Sequence, residues 1–327
     1  MHPSIHPPRL MCGSEPREQL GVGTYATFVS EQLRLQHQYP GDAFFLLADY
    51  HALTHGQPES LMRRSAVMGA TYLALGVDVR TSVLYRQSDV PQLFELFWLI
   101  ACLLPPQLAD SAANVEVLPR NLGAELYPAL MAADLLGLRA TIATQLTPRF
   151  ERLDYACQIA EQINDRLGRD CFPIPKLVGD FPRPPVAHPN PQDLFAGPWV
   201  FGDAGEFRVW LSALYRYGET NNLVSEVAIW CDSIASRLIG AERLQQLKDS
   251  CGEAYLLSAS SVRDRLAELI AEHLRPSREA YRQMRSEGNM VEEALRAGAL
   301  RVRSELKETV ESLREILGLG RVRRPLT

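Results

Sequence analysis

The chain has 327 residues, 46% hydrophobic and 22% charged, with a formal net charge of −5. These values suit a globular protein with one large or two medium cores. They give no basic excess of the kind that nucleic acid attracts and no run near the ~20 apolar residues that a membrane span needs.

The first ten residues, MHPSIHPPRL, contain no apolar stretch of signal-peptide length. His2 and His6 stand at i,i+4, but Pro3 and Pro7 argue against a helical metal pair. Six cysteines (Cys12, Cys102, Cys157, Cys171, Cys231, Cys251) form no C-x-x-C pair, so neither a zinc site nor a redox dithiol is expected. They read as reduced thiols of a cytoplasmic protein.

Met11 to Glu15 reads as a short strand or turn. Gly21, Gly23 and Thr24 then introduce a helix, Tyr25 to Leu35. A glycine-rich helix start can cradle an anion on free backbone N–H groups, although GVGT lacks a full dinucleotide or P-loop fingerprint. Ala43 to Ala48 is an apolar run suited to a buried parallel strand, with Asp49 and His51 at its carboxyl end, where ligands bind in open α/β sheets. A helix over Glu59 to Leu75 is closed by Gly76. A strand, Ser82 to Arg86, and a helix, Leu93 to Leu104, follow, the latter stopped by Pro105 and Pro106. The alternation predicts an α/β fold with a parallel sheet.

Residues 107–125 read as a loop plus a short helix. Leu126 to Ile142 reads as one helix on the spacing of Leu126, Ala129, Leu130, Ala133 and Leu136. Among these apolar residues stands one carboxylate, Asp134, with Met131 and Tyr127 on the same face. A buried Asp requires a donor. An indole N–H is one candidate, and a neighbouring backbone amide or Arg is the other. Arg139 to Ala143 leads toward a further strand, and Phe150 to Leu167 is an amphipathic helix. The proline-dense stretch Pro173 to Pro198 reads as a boundary or linker. Beyond it the pattern is helical throughout: Glu206–Tyr217, Asn222–Arg237, Glu242–Asp249, Ser261–Leu274, Pro276–Arg285 and Met290–Leu317.

The strings FFLLADYHALT, LYRQSDVP and YPALMAADLL resemble segments of the tryptophanyl-tRNA synthetase family, class I aminoacyl-tRNA synthetases. SREAYRQM and EEALRAGALRVR resemble the helical end of the bacterial enzymes. The resemblance implies a Rossmann-type parallel-sheet domain over residues 1–185. It also implies an all-helical C-terminal domain over 186–327, whose last helix packs back on the first domain, and a homodimer. It implies that Asp134 accepts an indole N–H and that Met131 and Tyr127 line the pocket, with Met11, Glu15 and His51 at its border.

Several family motifs are altered. The HIGH-like motif falls on Gly21-Val22-Gly23-Thr24, which keeps a glycine and a polar residue but no histidine. Lys176, Lys248 and Lys307 are the only lysines, and none lies beside a Met-Ser pair, so no KMSKS-type loop is present. The G-x-D-Q motif falls on Leu146-Thr147-Pro148-Arg149, and a family glutamine near the amino-acid end falls on Glu15. Nucleotidyl chemistry depends on phosphate positioning and charge. The nucleotide site near Gly21, Gly23, Thr24 and Arg149 therefore reads as degenerate, with Arg17, Arg149 and Arg152 as candidate substitutes. The expectation is binding of tryptophan or an indole derivative without ATP-dependent activation, no cofactor, no metal and no assigned catalytic residue. The alternatives are a divergent ATP- and Mg-using ligase, and a non-catalytic dimeric partner protein. The acidic balance makes tRNA the less expected partner.

Overall fold

Apolar runs ending in polar residues become strands of one parallel sheet: β1 (Leu10–Ser14), β2 (Ala43–Leu47) and β3 (Ser82–Arg86). The computed structural model describes residues 7–54, 59–105, 121–144, 152–178, 182, 185, 192–251, 257–286 and 289–320. β4 (Ile142–Thr144) and β5 (Lys176–Val178) complete the sheet in the order β3-β2-β1-β4-β5. All pairings are parallel, with Met11 opposite Phe44 and Leu46 opposite Tyr85. Successive side chains leave opposite faces, and both faces are covered, which is why β2 is apolar at every position. Leu10, Cys12, Phe45, Leu47 and Leu84 enter one core, while Met11, Phe44, Leu46, Val83 and Tyr85 enter the other.

The first helix, α1, runs through Val22–Thr24, a π-helical turn Tyr25–Val29, and Ser30–Gln36. After it come α2 (Asp49–Leu53), α3 (Leu61–Leu75) and α4 (Gln92–Ala101). The short helix expected within 107–125 is α5 (Leu122–Glu125), and the helix expected over 126–142 is the shorter α6 (Tyr127–Gly137). Leu126 bends the chain between them. Pro128 fits the first turn of α6, where a missing N–H costs nothing. α6 stops at Gly137, and Arg139, at φ 53, turns the chain into β4. Asn121 caps α5 by accepting from Ala124 N at 2.9 Å.

α7 (Arg152–Leu167) leads to β5, a strand inside the stretch expected to be linker. The short α8 (Gln192–Ala196) also lies there. The expected boundary at 185/186 falls among residues 179–191, of which only 182 and 185 are described. α9 (Ala204–Asn221) opens with a capping box in which Asp203 Oδ1 accepts from Glu206 N, and Glu206 Oε2 from Asp203 N, both at 2.9 Å. α10 (Val224–Ile239), α11 (Ala241–Cys251), α12 (Ser260–His273) and α13 (Arg275–Ser286) build the helical part.

The last helix, α14 (Met290–Ile316), lies back across the sheet. Val302 and Leu306 share a core with Phe44, Tyr85 and Leu136. A Cβ on Gly298 would sit 2.0 Å from the Leu84 carbonyl oxygen, so only glycine permits this approach. Polar ties fix the same contact: Arg86 pairs with Glu292 at 2.7 Å, and Thr309 Oγ1 donates to the Gly137 carbonyl at 2.8 Å. The side chains of Cys12, Cys102, Cys157, Cys171 and Cys231 are described, and all five are free thiols.

Candidate functional site

The carboxyl ends of β1, β2 and β3 and the buried helix α6 converge on Asp134. This carboxylate is buried, 3% exposed, on a helix that is apolar on most sides. Its donors are side chains rather than the backbone amide or arginine that a structural role would supply. Gln87 Nε2 lies 2.9 Å from both carboxylate oxygens, and His51 Nε2 lies 2.8 Å from Oδ2. A carboxylate only accepts, so Nε2 carries the proton that faces it. Two side-chain donors offset much of the cost of burying the charge, and about four lone-pair sites leave room for one more donor.

Gln87 also fixes α2, since its Oε1 accepts from Tyr50 N at 3.1 Å and His51 N at 3.4 Å. Asp49 locks the same turn by accepting from Ser88 N at 2.9 Å and Ser88 Oγ at 2.5 Å. Burial pushes the Asp49 carboxyl above the usual carboxylate range; the Ser88 bonds and the charge of Arg86 oppose this.

Of the expected companions of Asp134, His51 meets it directly, and Tyr127 and Glu15 follow in a chain of contacts from His51. The Tyr127 ring lies against the His51 ring, centroids 4.2 Å apart, and Tyr127 Oη donates to Glu15 Oε1 at 2.9 Å. Met11 is buried on the adjacent sheet face, and Met131, partly buried, packs against the same core. Gln87 was not among the expected site residues. Its signal was its place directly after β3, at the ligand-binding end of the sheet.

The second expected site, at the start of α1, has a different construction. Val22 N donates to the Pro198 carbonyl at 2.8 Å, Val200 N donates to the Leu20 carbonyl at 2.8 Å, and Gly21 bridges Trp199. A Cβ on Gly21 would meet Ala196 O at 2.1 Å, and one on Gly23 would meet Phe195 O at 2.0 Å. The backbone of 195–200 therefore lies directly on the glycine turn and takes its first helical amide. Arg17 is exposed. Arg149 and the 146–149 motif lie outside the described residues, as does the side chain of Arg152. Among the described residues no cluster suited to a metal occurs, and no helix is long and apolar enough to cross a membrane.

Residues 4–148 match the family model described as tRNA synthetases class I (W and Y). The tryptophan–tRNA ligase of Bordetella parapertussis is 30% identical over 91% of this chain and 70% of its own length. The chain belongs to the class I tryptophanyl-tRNA synthetase family. The tryptophan–tRNA ligase of Campylobacter jejuni is 26% identical over 95% of this chain and its own full length. The fold agrees: the Campylobacter jejuni tryptophanyl-tRNA synthetase solved with ADP and tryptophan superposes with a TM-score of 0.75. It is 22% identical and covers 95% of this chain and 100% of its own. The expected Rossmann-type sheet followed by a helical part is the fold of this family member.

Proposed function

We propose that this family member binds tryptophan or a related indole amino acid at Asp134 and has lost ATP-dependent activation of that ligand. The buried carboxylate supports the ligand half of the reading. It is held by His51 and Gln87, keeps acceptor capacity, and stands beside Tyr127 and Met131. An indole N–H supplies one donor on an otherwise apolar plate and matches that arrangement. Glu15 at the amino-acid end favours a free ammonium and disfavours a carboxylate.

The observation that carries the loss of activation is the Pro198 carbonyl on the Val22 amide. A helix start binds phosphate through unoccupied N–H groups, and here a backbone oxygen of the chain's own holds that position. The chain has three lysines in total and none beside a Met-Ser pair, so the lysines of a KMSKS-type loop are missing and the phosphate charge would fall to arginines. No cofactor belongs to this reading.

A second reading is a divergent tryptophan-activating ligase that uses ATP and Mg. It is favoured by the relatives, which are tryptophan–tRNA ligases matched over most of the chain. Titration calorimetry with tryptophan, with and without Mg·ATP, separates the two when paired with ATP–pyrophosphate exchange. The expected result is binding that needs no ATP and no measurable exchange. Asp134→Asn should weaken binding about 10- to 100-fold, because a hydrogen bond to a charged group contributes about 1.5–3 kcal/mol. Exchange at high protein concentration would establish the ligase instead. Absence of indole binding would leave only the partner-protein reading.

A cytoplasmic homodimer fits this assignment. α4 exposes Phe94 and Trp98, one turn apart and 53% and 63% exposed, beside Tyr50 of α2. A second copy of the chain is the occupant this face suits. Sedimentation velocity should give a dimer that Trp98→Glu converts to monomer. A parent monomer at micromolar concentration would discard the dimer. tRNA is not part of the proposal, since the chain is acidic overall.

A further inference from the structure

Tyr85, the fourth residue of β3, is fully buried on the sheet face whose core includes α6. Its hydroxyl makes no hydrogen bond, whereas buried hydroxyls are normally paired. Two residues on, Gln87 donates to Asp134. The charge of Asp134 adds to burial in holding the Tyr85 hydroxyl protonated, so the two groups lie within each other's field. His51 Nδ1 is also buried and unpartnered, on the ring whose Nε2 meets the same carboxylate. The other polar groups of this neighbourhood are paired: Gln87 with Asp134, Tyr50 and His51, Asp49 with Ser88, and Tyr127 with Glu15. Tyr85 Oη and His51 Nδ1 are thus unpartnered in the neighbourhood of one buried acceptor, while Arg86 Nε, also unpartnered, belongs to a side chain already paired with Glu292 and Asp89.

An unsubstituted indole brings one polar ring atom, its N–H, and Asp134 takes it. That ligand would dry the site and leave the Tyr85 hydroxyl and His51 Nδ1 without partners. A ring hydroxyl is both donor and acceptor and can pair with either. We propose that the ligand of the Asp134 site is an indole amino acid with a hydrogen-bonding ring substituent, a hydroxytryptophan or aminotryptophan, read by Tyr85 Oη. The inference rests on the indole reading above and narrows it. A site that hydrogen-bonds a ligand hydroxyl rejects the analogue lacking it far more strongly than an apolar pocket does, so Tyr85 is here the specificity residue.

Calorimetry with tryptophan and a set of hydroxytryptophans differing in the position of the hydroxyl tests this. One isomer should bind the parent protein at least about tenfold more tightly than tryptophan. Tyr85→Phe should weaken that isomer about tenfold and leave tryptophan unchanged or tighter, and Asp134→Asn should weaken both. Thermal melting of the unliganded Tyr85→Phe protein should show no loss of stability, because the hydroxyl has no partner in the fold. Tryptophan binding as tightly as every isomer, with Tyr85→Phe unchanged, would overturn the inference and leave the indole site standing. A marked fall in Tm for Tyr85→Phe would also overturn it, since it would place the hydroxyl's partner inside the protein. Failure of tryptophan and every isomer to bind would remove both readings together.

Discussion

Two stretches of this chain sit at the ligand end of the same sheet and are built in opposite ways. Around Asp134 the construction is side chain on side chain, with His51, Gln87, Tyr127 and Glu15 drawn from four different segments, and with Tyr85 Oη and His51 Nδ1 left unpaired. At the start of α1 it is backbone on backbone, with residues 195–200 laid on the glycine turn and its first amide satisfied. Unpaired buried polar atoms await a partner, while satisfied backbone does not. One family scaffold thus combines a buried side-chain network that leaves polar atoms unpaired with a glycine turn covered by its own chain.

The largest effect should come from prising that covered turn apart. In Gly23→Ala the new Cβ would lie 2.0 Å from the Phe195 carbonyl oxygen, a backbone atom that cannot rotate away. Overpacking of this kind should cost about 3 kcal/mol, read as a lower denaturant midpoint. Gly13→Ala, at the end of β1, meets nothing within 4 Å and should stay within about 0.5 kcal/mol of the parent. A neutral Gly23→Ala would break the comparison, because it would mean that 195–198 lifts off readily and the nucleotide side is open.

The sequence discloses the half made by local pattern. β1, β2 and β3 are short apolar runs with polar ends, and the C-terminal helices follow a clear period, so both appear within a few residues of their places. Asp134, Met131, Tyr127 and His51 are legible because YPALMAADLL and FFLLADYHALT retain a family's wording, and Glu15 because it stands where the family carries glutamine. β5 escapes notice because three residues among prolines carry no strand signal, and its edge is made by pairing with β4. The end of α6 at Gly137 and the reversal at Arg139 are set by backbone angles that LYPALMAADLLGLRATI does not display. The covering of Gly21 and Gly23 by residues 195–200 joins positions far apart in the chain, and no local pattern announces such a contact. Tyr85 looks like one more aromatic in a strand until its hydroxyl is found without a partner.

The smallest predicted effect asks whether the side-chain half carries an electrostatic cost that the backbone half lacks. Asp49 begins α2, and burial holds its carboxyl above the ordinary value of 3.8 despite the two bonds from Ser88. The folded state therefore binds this proton more tightly than the unfolded state. The sign follows from linkage: this contribution to stability is greatest below the ordinary Asp value and is lost as pH rises through the raised one. Asn at this position keeps an oxygen to accept from the Ser88 amide and an N–H to meet its hydroxyl, without the charge. Asp49→Asn should remove that pH slope and leave stability at neutral pH within about 1 kcal/mol of the parent, measured as urea midpoints from mildly acidic to neutral pH. A slope that persists in the variant would assign the acid response to another carboxylate. A slope that disappears would make the turn holding His51 against Asp134 a place where the fold sustains charge at a cost, beside a glycine turn that sustains none.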